Sequence, residues 1–321
     1  MRLQTERVPM PASKEMTTIG LERLIEPASL DDFREGDAWR YPQLGRGPLA
    51  RFPELLAIPE LFDLSRLAAV YNDPIPVWMP ERWMKNAAHR GLYGTFFAPE
   101  SALRLHRLGA TLFFPNVERF IPQVRPLLAR LERDLGVVDV YKKSVFNVFA
   151  SAPGAGAVAH FDPEINFAVQ LKGKKRWWIS DNTHIQFAPS AYSVLDTEAT
   201  MGPALRAAWG TAPRPKKLPG KPRVLDVEEG SALYFPAGCW HKTKTLEESI
   251  HVVLAIWPKS WIGVLADRLR ASFPQRVSCT SSQAERLVEQ VTERITALRA
   301  SDLVEGRRPR QARAGRRSEA R

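Results

Sequence analysis

From about residue 20 to 135 the apolar positions recur at helical spacing. In IPQVRPLLARLERDLG (121–136), Val124, Leu127, Leu128 and Leu131 fall on one face and Gly136 offers a stop, which predicts a helix. From about 140 to 258 the period shortens to alternating runs broken by Gly, Pro and Asn, the pattern of β-strands. In AHFDPEINFAVQLKGKKRWWIS (159–180), a strand directs residues i and i+2 to the same side, so His160 and Asp162 face together. After a turn at Lys172 and Gly173, Lys175, Trp177 and Ile179 share one face of the returning strand. TAPRPKKLPGKPRV (211–224) carries too much Pro and Lys for either element and predicts a long loop between two halves of a sheet structure. Beyond Trp257 the helical period returns. SSQAERLVEQVTERITALRASD opens with Ser282 and Glu285 at capping-box spacing, and Leu287, Val288, Val291, Ile295 and Leu298 form a stripe that packs on its own domain or meets a second copy. There is no internal repeat.

Composition narrows the class. The 321 residues are 44% hydrophobic, ordinary for a soluble globular chain, and neither a signal peptide nor a membrane span is apparent. Cys239 and Cys279 are too few for a disulfide framework and lack zinc-site spacing, so a reducing, cytoplasmic setting is expected. The net charge of +11 is concentrated at one end: residues 306–321, GRRPRQARAGRRSEAR, hold seven Arg and one Glu, leaving +5 elsewhere. Such a segment cannot bury enough surface to order itself, and a disordered tail is expected. An electrostatic contact with nucleic acid is its alternative use.

The candidate chemistry begins with His160 and Asp162. Alone, a His-x-Asp pair is weak, since a surface strand produces it by chance. Downstream, GSALYFPAGCWHKTKT reads as strand, tight turn and histidine, with Gly230, Pro236, Gly238 and His241 at the spacing of the second cupin signature, although Thr245 replaces its usual Asn. Two imidazoles and one carboxylate on β-rich sequence make the facial triad that leaves three coordination positions open on Fe(II).

Residues 95–258 resemble the cupin-like Jumonji C oxygenases, the group that includes the ribosomal oxygenases. The matching words are RLGATLFFPNVERFIPQVRPLLARLERDLG, NVFASAPGAGAVAHFD, VQLKGKKRWWI, GSALYFPAGCWH and SIHVVLA. The resemblance implies a mostly β core with helical flanks, a double-stranded β-helix (jelly-roll) barrel. The chain accordingly divides into a flexible 1–20, a helix-rich 21–94, the barrel at 95–258, a helical 259–305 that could serve dimerisation, and the tail. The resemblance implies Fe(II) held by His160, Asp162 and His241, with no catalytic residue beyond these ligands. The cosubstrate would be 2-oxoglutarate, with Lys175, fifteen positions after the first metal histidine, on its distal carboxylate, and with Asn147 and Ser249 near it. The implied reaction is hydroxylation of a protein, peptide or small-molecule substrate with release of succinate and carbon dioxide.

Other residues are read more plainly. His251 is assigned to packing or to support of the metal ligands, and Trp178 and Trp240 to packing. Typical ribosomal oxygenases carry a His-Asp pair four and five residues after the first metal histidine, where this chain has Glu164 and Ile165, followed by Asn166. The winged-helix domain that follows the dimerisation helices in those proteins is expected to be absent or vestigial. Both departures separate fold and cosubstrate, which survive them, from ribosomal-protein specificity, which does not. The competing class is a metal-binding cupin without turnover, or an RNA-associated protein. Lys175 separates the two, because a mere metal binder does not need a buried cation there.

Overall fold

The computed structural model describes residues 20–80, 83, 94–135, 141–185, 188–258, 289–293 and 296. The expected flexible amino terminus, the basic tail, Cys279 and most of the carboxyl-terminal stripe lie outside these residues, while residues 289–293 within the stripe are helical. Among the described residues no helix is long and apolar enough to cross a membrane.

Thirteen strands occur among the described residues: β1 Gln43–Gly45, β2 Ile75–Trp78, β3 Thr95–Phe97, β4 Thr111–Phe114, β5 Tyr141–Ser151, β6 His160–Phe161, β7 Ile165–Lys172, β8 Lys174–Ser180, β9 Tyr192–Ser193, β10 Arg223–Glu228, β11 Ala232–Phe235, β12 Trp240–Thr245 and β13 Ser249–Pro258. They form two antiparallel sheets, a large one in the order β1-β11-β7-β13-β5-β4-β2-β3 and a small one in the order β10-β8-β12-β6-β9. This is the mostly β barrel architecture expected. The region expected to be helix-rich contributes more than helices, because β1 and β2 join the large sheet near its two ends.

Strand parity decides what each face does. On β5, β7 and β13, Phe146, Val148, Ala150, Phe167, Val169, Leu171, Val252, Leu254 and Ile256 belong to one buried cluster with helical residues such as Leu21, Leu55, Leu67, Leu127, Leu128 and Leu131. Their alternates Val145, Ala168, Val253 and Ala255 pack instead with Trp177, Ile179, Val227, Leu233 and Phe235, between the sheets. Both faces of these central strands are therefore covered, which is why they read as nearly unbroken apolar runs. The predicted helix is present as Arg125–Leu135, with Leu127, Leu128 and Leu131 on its buried side. Residues 211–222 form no regular element before β10 begins, as their Pro and Lys content predicts. The helix Pro203–Trp209, in the stretch read as β-rich, lies under a separate cluster of Phe161, Tyr192 and Trp240.

Candidate active site

Between the sheets lies a cavity of about 290 Å³, and residues from both sheets line it. On one wall, β6 and β12 pair so that His160 and His241 stand directly opposite, with ring centroids 4.0 Å apart. Asp162 follows β6 with its side chain turned to both rings: its Oδ2 lies 3.7 Å from His160 Nε2 and 3.5 Å from His241 Nε2. The turn that carries His241 is tied to Asp162 through the backbone, because the Gly238 amide donates to the Asp162 carbonyl at 2.8 Å. Gly238 has φ +79°, the left-handed region that glycine enters without strain.

Each imidazole is oriented from behind. His160 Nδ1 lies 2.8 Å from the Val158 carbonyl and His241 Nδ1 3.0 Å from the Cys239 carbonyl. Since a carbonyl only accepts, Nδ1 carries a proton in both rings, which leaves Nε2, on the Asp162 side, as the atom that could bind a metal. Burial first, then the neighbouring His160, pushes His241 down to about 4, so it is neutral at physiological pH. One ligand atom from each of the three residues falls within 4.8 Å of the others. Two imidazole nitrogens and a carboxylate oxygen at that separation fit a divalent transition metal such as Fe(II).

Lys175 stands on β8 in the same sheet as the triad's histidines, pairing with Thr245 of β12 where His241 pairs with Ile179. The hairpin that delivers it turns at Gly173, where φ is +68° and a Cβ would lie 2.0 Å from the Glu248 carbonyl oxygen. Lys175, Trp177 and Ile179 are buried on the inner face of β8, as parity predicts. The ammonium is only 2% exposed as a residue, and it donates to Ser151 Oγ at 2.9 Å and contacts His251 Nδ1 at 3.3 Å. No carboxylate among the described residues forms an ion pair with it, and desolvation pulls it down to about 7.

The remaining expectations divide. Asn147 lines the cavity, although its Oδ1 is already engaged by the Asn116 amide at 3.0 Å. Ser249 is fully buried but does not line the cavity, and its hydroxyl accepts from Gln170 Nε2 at 2.7 Å. Ser151, its register partner on β5, is the hydroxyl that reaches Lys175. His251, expected to pack or to support the metal ligands, lines the cavity and touches the lysine. Trp240 packs on Phe161 at 4.9 Å, in the role expected of it.

The sequence reading missed an aromatic wall. Trp78 from β2, Phe113 from β4 and Phe149 from β5 pack at 4.5 to 5.5 Å, and Trp78 also faces the His160 ring at 6.2 Å. Phe149 was legible, since it alternates with Asn147 and Ser151 on β5. Trp78 and Phe113 come from distant segments with no local signal. Glu164, one of the two positions at which the expected His-Asp pair is missing, and Asn166 also line the cavity.

Comparison with known proteins agrees with this architecture. YxbC of Bacillus subtilis (strain 168), an uncharacterized protein, is 28% identical over 254 residues, which cover 78% of this chain and 74% of that protein. A bifunctional lysine-specific demethylase and histidyl-hydroxylase, NO66 of Drosophila grimshawi, is 31% identical over 127 residues, 38% of this chain but only 15% of the longer fly protein. Among solved structures, Escherichia coli YcfD, a ribosomal oxygenase, superposes with a TM-score of 0.50 at 17% identity, covering 84% of this chain and 68% of its own, which establishes a shared fold. Residues 119–260 match the cupin-like domain family, so the chain carries a cupin-like domain and resembles the Jumonji C oxygenases in fold.

Proposed function

We propose that this chain is an Fe(II)- and 2-oxoglutarate-dependent oxygenase that hydroxylates a C–H bond of a protein or peptide side chain, or of a small metabolite. The observation that carries the reading is Lys175, a buried ammonium with no carboxylate partner among the described residues, in the same cavity as a His-Asp-His triad. A cation left so far from water is costly unless an anion meets it, and a purely structural metal site has no use for one. The kinship with NO66 and the fold shared with YcfD support the same reading.

His160, Asp162 and His241 would hold the metal. When bound, ferrous iron supplies the redox chemistry that couples oxygen reduction to oxidation of the 2-oxo acid. The balance is one O₂, one 2-oxoglutarate and one substrate C–H consumed, with succinate, carbon dioxide and the alcohol formed. One oxygen atom goes to succinate and the other to the product. The chain's own part is to bind and exclude. Lys175 receives the distal carboxylate, and the fixed Nδ1 protons keep both imidazoles turned to the metal position. Trp78, Phe113 and Phe149 line the cavity with apolar surface that keeps water from the reacting centre.

The test is succinate formation from 2-oxoglutarate with Fe(II) and ascorbate, followed by mass spectrometry of treated cell extract for gains of one oxygen. Turnover with a substrate-dependent oxygen gain supports the reading. Metal binding with no affinity for 2-oxoglutarate would overturn it in favour of a non-catalytic cupin.

A further inference from the structure

We propose that His251 is a positioning residue for the cosubstrate anion: it holds one N–H of the Lys175 ammonium while Ser151 holds a second, which leaves the third directed into the cavity. The inference rests on reading that cavity as a 2-oxoglutarate site. A lysine ammonium has three donors and no acceptor. Two are accounted for, at 2.9 Å to Ser151 Oγ and 3.3 Å to His251 Nδ1. Because the lysine donates, His251 Nδ1 must present its lone pair and Nε2 must carry the proton. This tautomer is the reverse of that in the two metal-binding histidines.

The surroundings keep the ring in that role. Burial, followed by the Lys175 charge, holds His251 well below its ordinary pKa, in the neutral form that can accept. Its plane stacks on Phe149 at 4.9 Å with an interplanar angle of 7°, and Trp177 closes its edge at 5.7 Å and 80°. Phe149 is itself stacked on Phe113 at 4.5 Å. A ring gripped on a face and an edge cannot swing away, so the acceptor it offers has one direction. Ser151 is similarly fixed, receiving Thr111 Oγ1 at 3.1 Å in addition to the lysine.

A consequence for specificity follows. A free lysine, with four rotatable bonds, would follow the far carboxylate of a longer or shorter 2-oxo diacid. An ammonium pinned at two points sits at a set distance from the triad and favours one chain length. His251 and Ser151 thus make Lys175 a gauge of the cosubstrate's length as well as a counter-ion.

The experiment is calorimetric titration of the Mn(II)-loaded protein with 2-oxoglutarate and with its six-carbon homologue, 2-oxoadipate. His251→Phe keeps an aromatic ring to stack on Phe149 and removes the acceptor. His251→Asn restores an acceptor near the Nδ1 position. Loss of one such hydrogen bond is expected to weaken 2-oxoglutarate about 3- to 10-fold in His251→Phe. The preference for the five-carbon acid should shrink in that variant and in Ser151→Ala, and persist in His251→Asn. A packing defect weakens both acids alike, so an unchanged preference in His251→Phe and Ser151→Ala, or a wild type with none, overturns the inference. A wild type that binds Mn(II) but no 2-oxoglutarate overturns the reading on which the inference rests.

Discussion

At the residue scale, the two ends of the cavity make separable demands. Asp162 has a side chain 28% exposed and makes its tie to Gly238 through the backbone, so truncating it removes the proposed metal ligand without opening the core. Asp162→Ala should therefore abolish 2-oxoglutarate turnover while the thermal midpoint stays within a few degrees of wild type; normal succinate formation would refute the triad. For Lys175→Ala the expected loss is a charge-assisted hydrogen bond, typically about 1.5 to 3 kcal/mol. That corresponds to roughly 10- to 100-fold in affinity for 2-oxoglutarate with Mn(II) binding retained. Calorimetry checks both halves. The lysine also predicts a pH dependence. Desolvation holds it at about 7, and an incoming carboxylate restores the preference for the charged form. Affinity for the dianion should be greatest below pH 7 and fall as pH rises above it, with about one proton taken up per site at pH 8. Titrations in two buffers of different ionisation enthalpy measure that uptake, and zero uptake would mean that the lysine is already charged before the anion arrives.

Among the elements, the β7–β8 hairpin is the one on which the site depends most directly. Its turn holds Gly173 at φ +68° against the Glu248 carbonyl, and two positions later comes Lys175. An alanine there combines an unfavourable backbone region with a 2.0 Å approach to backbone oxygen that no side-chain rotation relieves. Gly173→Ala should cost more than about 1 kcal/mol of stability in chemical denaturation. Because any relief of the clash displaces the start of β8, affinity for 2-oxoglutarate should fall as well. A variant with unchanged stability and affinity would show that the turn relaxes without moving the strand. The β6–β12 pair was half legible from the chain. Alternation puts His160 and Asp162 on one side, and the Pro-x-Gly turn announces His241, but the register that sets the two histidines opposite each other belongs to the pairing.

For the molecule as a whole, the amino-terminal segment is part of the barrel rather than an attachment to it. Its helices cover the outer face of β5, β7 and β13, β1 extends the large sheet beyond β11, and β2 brings Trp78 into the cavity. Leu21, Leu24, Phe52, Leu55 and Leu61 are all fully buried there. Each such side chain contributes roughly 1.5 to 3 kcal/mol. Removing the segment uncovers the sheet and should exceed the net stability of a domain of this size, about 5 to 15 kcal/mol. A fragment beginning at residue 95 should therefore aggregate or lack the near-ultraviolet circular dichroism of packed aromatics. A soluble, cooperatively melting fragment would show that the barrel closes without it.

The periods along the chain determined which side chains share a face. From that came the helix at Arg125–Leu135, the inward set Lys175, Trp177 and Ile179, and the common side of His160 and Asp162. These depend on backbone geometry within a few residues, which local sequence controls. Tertiary structure alone decided who meets whom across the cavity: His251 and Ser151 at the lysine rather than Ser249, and Trp78 and Phe113 beside the triad. Such contacts join segments up to about eighty residues apart and follow from strand register and sheet closure, which no local pattern encodes.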